Sequence, residues 1–143
     1  MVTVLISADS RYPITRPQIT ASVNSVLRSR NISSDVEISI LICGQRKALE
    51  VAKKYLHDDK AHNVLSFPFV DQAIKTVFKT GKDVKGFIDD NGGVLTLGDI
   101  IICYPMAQVE ANDDNMLVMD KICELVEHAM LHLLGEHHEE TDE

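Results

Sequence analysis

The chain has 143 residues, of which 45% are hydrophobic and 25% charged, with no Trp and a formal net charge of −8. That is the composition of one ordinary globular domain, covering residues 1–143, and it excludes a disordered or low-complexity protein. An acidic chain is a poor generic nucleic-acid binder, yet residues 1–85 hold 13 Lys/Arg against 8 Asp/Glu while residues 86–143 hold 1 against 14. A basic patch between Arg46 and Lys85 can therefore meet phosphates locally, although two solvated faces of opposite sign account for the division equally well.

Taken in chain order, "VTVLIS" (2–7) is a β-branched run and predicts a strand. Residues 16–31 place Ile19, Val23, Val26 and Leu27 at helical spacing, with Pro17 at a tolerated early position. "EISILICG" (37–44) predicts an apolar strand closed by Gly44. "QRKALEVAKKYL" (45–56) predicts a helix burying a stripe of Leu49, Ala52 and Leu56. "NVLSFPF" (63–69) predicts a strand that Pro68 confines to a sheet edge. Residues 70–94 contain a short amphipathic piece and end in the turn signal Asn91-Gly92-Gly93. "VLTLGDIIICYP" (94–105) predicts a strand with a bulge at Gly98 and a bend or end at Asp99. One long helix is predicted from Ala111 to Leu134. Asn112 or Asp113 caps it, Met116, Met119, Ile122, Cys123, Val126, Met130, Leu133 and Leu134 form its apolar face, and Gly135 ends it. The order β-α-β-α-β-β-α predicts a single-domain α/β sandwich with a small mixed sheet.

Cys43, Cys103 and Cys123 are odd in number and widely spaced, so they form no disulfide framework and read as small buried residues. A reducing, cytoplasmic setting is expected. The N-terminus lacks the basic start of a signal peptide, and no apolar run approaches the roughly 20 residues of a membrane span.

The chemistry concentrates in "EHAMLHLLGEHHEE" (127–140), which holds four of the six histidines. His128 and His132 are four apart, so a helix puts both imidazoles on one face. Gly135 allows a sharp left-handed turn, after which His138 can swing back to complete three neutral ligands, leaving a fourth zinc position open as in catalytic sites. His137 can replace His138. Glu124, one turn before His128, either orients an imidazole or is simply a solvated helix carboxylate. A bound zinc lowers the pKa of water to about 7 and polarises carbonyl or phosphoryl oxygens, which serves peptide and phosphodiester hydrolysis alike. The pattern resembles the metzincin protease signature H-E-x-x-H-x-x-G-x-x-H, but the general-base Glu is Ala129 here; Glu136 or another acid would have to substitute.

Three segments together resemble one family. "HAMLHLLGEHH", "NVLSFPF" and "LGDIIIC" are similar, in order and spacing, to conserved motifs of the YbeY family of bacterial rRNA maturation factors, and they span residues 63–138. The resemblance implies a metal-dependent, single-strand-specific endoribonuclease. Such an enzyme acts in 16S rRNA 3′-end processing and ribosome quality control, with one zinc ion held by His128, His132 and His138. It also implies single-stranded or ribosomal RNA as partner, with the small ribosomal subunit and its proteins. Five departures from the motifs stand out. Ala129 replaces a Gly, His137 an Asp, and Glu136 a frequent Tyr, while Leu56 stands where the family carries a functional Arg after the Tyr that matches Tyr55. His62 replaces a Thr. Lys53, Lys54 and His57 are neighbours that can hold phosphate in place of that Arg. The candidate substrate-binding set is Lys53, Lys54, His62, Asn63 and Ser66, and Glu136 and His57 are candidate catalytic groups beside an acidified water. A metzincin-like peptidase and a non-catalytic, metal-stabilised ribosome-assembly factor are the alternatives.

Overall fold

In the computed structural model, residues 2–68 and 94–135 are described. The β-branched N-terminal run forms β1 (Val2–Ala8), and the apolar stripe of the following segment forms helix α1 (Arg16–Ser29). Strand β2 (Asp35–Cys43) runs into α2 (Gln45–Val51), which continues as a wider π-helical turn over Ala52–Leu56. After β3 (Val64–Pro68) come β4 (Val94–Cys103), α3 (Tyr104–Asp113) and α4 (Val118–Leu133). The sheet order is β1-β2-β4-β3. The first three of these strands are parallel and β3 is antiparallel to β4 at the edge. This is the expected mixed α/β architecture, and Pro68 lies in an edge strand as expected. The amphipathic piece and turn assigned to residues 70–93 lie outside the described residues.

One sheet face is covered by α1 and α4. Ile19, Val23 and Leu27 from α1 and Ile122, Val126, Met130 and Leu133 from α4 enclose Ile38, Ile40, Ile42, Ile100 and Ile102, all essentially inaccessible. Each such side chain contributes about 1.5–3 kcal/mol of burial. The other face carries α2, with Val51 and Ala52 on Leu65 and Ala48 against Cys43 and Cys103.

The bulge falls where Gly98 predicts it. Glu37 pairs with Thr96 but Ile38 pairs with Gly98, so one extra β4 residue is accommodated. Strict alternation would send Leu95 and Leu97 to one face and Ile100 and Ile102 to the other. The extra residue resets the phase, and all four lie in the same core. Gly98 has φ +145, and a Cβ there would collide with the Phe67 carbonyl and Pro68 Cα, so β3 and β4 approach as closely as only glycine permits. Asp99 sits mid-strand opposite Ser39 and Phe67, so it does not end the strand; Gly98 supplies the irregularity.

Two helical expectations are corrected. The single helix from Ala111 to Leu134 is two helices. Asn115 adopts φ 57, its N–H bonds to the Asn112 carbonyl, and the Met116 N–H bonds to the Ala111 carbonyl at 2.8 Å. This is a Schellman closure with Asn in the left-handed position. Asn112 and Asp113 thus end α3 rather than cap α4, whose N-cap is Leu117. Pro105, read as the end of a strand, lies in the first turn of α3, where its missing N–H costs nothing. The expected stripe on 45–56 also shifts. Ala48, Val51 and Ala52 are buried while Leu56 is 45% exposed, because the π-helical turn changes the angular step after Val51.

Candidate functional site

Helix α4 starts beside the first turn of α1: the Thr15 N–H meets Met119 Sδ at 3.4 Å, and Gln18 Nε2 donates to Asp120 at 3.2 Å. Because α1 leaves the carboxyl end of β1, the histidines of α4 lie about 15–21 Å further along its axis, toward the opposite end of the parallel strands. There the i, i+4 spacing brings His128 and His132 together, ring centroids 4.4 Å apart and tilted 53°. Both residues are half-buried, and His132 Nε2 is shielded from solvent. The helix stops as expected. Gly135 takes φ 89 and its N–H bonds to the His132 carbonyl at 2.9 Å.

Ala129, between the two histidines, is 2% exposed and belongs to the core, so packing rather than proton transfer occupies the position of the metzincin base. Glu124 is engaged by Lys121 Nζ at 2.8 Å, and the same ammonium reaches Asp114 at 2.7 Å. It therefore reads as the solvated helix carboxylate, part of an ion triad joining the α3–α4 corner. Lys121 itself is 6% exposed, and the hydrogen bond it donates to Asp114 first, then the one it donates to Glu124, raises its pKa. Among the described residues no three His, Cys, Asp or Glu side chains gather around one point. His137, His138 and Glu136 lie outside the described residues.

The remaining candidates separate. Val64 packs into the α1–α4 core, so two residues on Ser66 faces the same side of the sheet as the histidine helix. Asn63 is a fastening group: its Nδ2 donates to both Glu110 oxygens at 3.1 and 3.0 Å, and its carbonyl accepts the Cys103 N–H at 2.9 Å. His62 Nε2 contacts Asp58 Oδ2 at 2.7 Å, and this bond, with a backbone bond from Lys60, lowers the Asp58 pKa. These two clasps lie at the carboxyl end of β4, the end from which α4 departs. Lys53 and Lys54 are exposed on the π-helical turn, on the sheet face opposite α4, and His57 closes that turn in a left-handed conformation. The partners Glu110 and Asp58 were not singled out from sequence. Asp58–His62 has an i, i+4 signature, whereas Asn63–Glu110 spans 47 positions and leaves no local one.

Among the described residues, a mixed four-stranded sheet packed by helices, with an imidazole pair on α4, defines a small α/β protein. The family model for endoribonuclease YbeY matches residues 7–143, and the chain belongs to that family. An endoribonuclease YbeY of Clostridium botulinum (strain Loch Maree) is 31% identical over 125 residues, covering 85% of this chain and 74% of the relative. One from Acinetobacter baumannii (strain AB307-0294) is 29% identical over 145 residues, covering 99% and 84%. The solution structure of TM1509 from Thermotoga maritima shares the fold, with a TM-score of 0.56 at 17% identity over 99% of this chain and 77% of that one. No helix among the described residues is long and apolar enough to cross a membrane.

Proposed function

We propose that the protein is a zinc-dependent, single-strand-specific endoribonuclease acting in the cytoplasm on ribosomal RNA, in 16S 3′-end maturation and ribosome quality control with the small subunit. The observation that carries the reading is the pairing of His128 and His132 on a helix closed by a left-handed Gly135, in a chain of the YbeY family. The donor set suits zinc: two adjacent imidazoles are ligand groups it takes, and the left-handed Gly135 allows a turn before His138, the third proposed ligand. When bound, zinc supplies a Lewis acid for a phosphoryl oxygen and lowers the pKa of water to about 7. The chain's own residues supply the rest. Ser66 faces the histidine side, and Lys53 and Lys54 offer cations to the backbone of the RNA. Glu136 and His57 are the candidate proton carriers.

The buried Ala129 disfavours the peptidase reading. Leu56, exposed where the family carries Arg, keeps a non-catalytic assembly factor as the second reading. Purified wild type and His132→Ala are compared for bound metal by elemental analysis, and for cleavage of a structured RNA with a single-stranded tail and of an unfolded protein. About one zinc per chain and RNA cleavage, both lost in the variant, are expected. Peptide cleavage selects the peptidase, and metal without either activity selects the assembly factor. Wild type without stoichiometric metal overturns the site.

A further inference from the structure

The π-helical turn at the end of α2 exposes what helical periodicity would bury. Tyr55 is 58% and Leu56 45% exposed, two large apolar residues side by side on the surface. The Tyr55 ring is nevertheless held: Phe67 of β3 supports it at a centroid distance of 5.5 Å and a tilt of 59°. The Lys54 ammonium lies 5.3 Å from the same ring centroid. The surrounding surface is basic in an otherwise acidic protein. Residues 45–56 carry Arg46, Lys47, Lys53 and Lys54 against Glu50 alone, and all five are exposed.

An exposed aromatic ring, supported from below by Phe67 and with the Lys54 ammonium beside it, has the chemistry of a single-stranded nucleic-acid platform. Every base can stack on it, while the lysines meet the phosphates. A duplex, whose bases are already stacked on each other, cannot use it. We infer that Tyr55, supported by Phe67 and flanked by Lys53 and Lys54, stacks an unpaired RNA base. The RNA then crosses the β3 edge from the α2 face toward the histidine side. This inference rests on the nuclease reading for its substrate class and supplies that reading with a source of single-strand preference.

The test is binding of a short unstructured RNA, and of an abasic oligoribonucleotide of equal length, measured by fluorescence anisotropy across a salt series. Tyr55→Ala is expected to weaken binding of the base-bearing RNA by about 5- to 150-fold, the range for one lost stacking contact, and to leave the abasic polymer unaffected. Tyr55→Phe retains the affinity. Lys53→Ala with Lys54→Ala weakens both polymers and reduces the slope of log affinity against log salt by about 1.4. Thermal melting confirms that the variants fold. Equal affinity of Tyr55→Ala and wild type for base-bearing RNA overturns the platform, as does equal loss on both polymers. Cleavage is recorded separately. Wild type that binds RNA through Tyr55 without cutting it refutes the nuclease while supporting the platform. Wild type that cuts while Tyr55→Ala binds normally does the reverse.

Discussion

Gly98→Ala tests the tightest point of the fold. With φ at +145, an Ala at this position adopts a backbone conformation that only glycine enters readily, at a cost of about 1–3 kcal/mol. Its methyl group also meets the Phe67 carbonyl oxygen and Pro68 Cα, which are backbone and cannot rotate aside, so β3 must shift for a further cost of about 1–3 kcal/mol. The combined loss is about 4 kcal/mol, a large part of the roughly 5–15 kcal/mol that keeps a domain folded. In urea, with a slope of about 2 kcal/mol/M, the unfolding midpoint falls by about 2 M. Gly44→Ala is the control. Gly44 has φ −88, and its added Cβ would meet the Tyr12 hydroxyl at 2.8 Å, a side-chain atom on a ring stacked against Tyr104, rather than backbone. Without the backbone strain, its midpoint is expected to fall by about 1 M or less, corresponding to about 2 kcal/mol or less. Equal midpoints for Gly98→Ala and wild type would refute the argument that β3 is held against β4 by the absence of a side chain.

Asn63→Asp places a carboxylate where Asn63 donates to both oxygens of Glu110. The variant is expected to lose about 1.5–3 kcal/mol at neutral pH. Part of this returns on acidification, because two facing carboxylates raise one pKa in the folded state and the repulsion vanishes once that group is protonated; a pH series of urea midpoints shows it, and a pH-independent loss contradicts it. The thiols should resist alkylation at pH 8: burial first, then the facing Cys103, pushes the Cys43 pKa up to about 11, and burial raises those of Cys103 and Cys123 as well. Rapid labelling without urea would contradict this. The side-chain hydrogen bond from Arg11 lowers the Asp9 pKa to about 2. A carboxyl depressed on folding stabilises above its unfolded pKa near 4, and that contribution disappears as pH falls through about 2. Arg11→Met should therefore flatten the acid limb of the stability profile between about pH 4 and 2, and an unchanged limb argues against the pair.

Elements whose apolar residues follow a regular period were readable in advance. Ile19, Val23, Val26 and Leu27 mark α1, the isoleucines mark β2 and β4, and Pro68 marks the edge. Gly98 and Gly135 were readable because glycine signals backbone that other residues avoid. Where the same job falls to Asn115, the signal is weaker, since asparagine is also ordinary helix surface, and α3 and α4 fused into one expected helix. The π-helical turn was hidden for a different reason. It changes the angular step itself, so Leu56, in phase with Leu49 and Ala52 by counting, emerges on the surface. Lys121, which is not among the residues of the expected apolar face, is buried, because Asp114 and Glu124 neutralise it in place. At the site, the contact of His128 with His132 follows from local spacing. The roles of Asn63 and His62 depend on Glu110 and Asp58, and the long-range partner is visible only once the chain has folded.

The helices begin and end on unequal terms. None of α1, α2, α3 or α4 has a side-chain hydrogen bond at its N-cap, which falls on Thr15, Gly44, Cys103 and Leu117. By contrast, α1 closes through Asn31 and Ile32, α3 through Asn115 and Met116, and α4 through Gly135, each by backbone bonds to the preceding turn. The carboxyl ends of these three rods are therefore closed by their own backbone, while their amino ends lean on the rest of the fold, as Met119, Asp120 and Lys121 do for α4. The imidazole pair sits at the self-closed end of α4, so its spacing does not depend on those tertiary contacts.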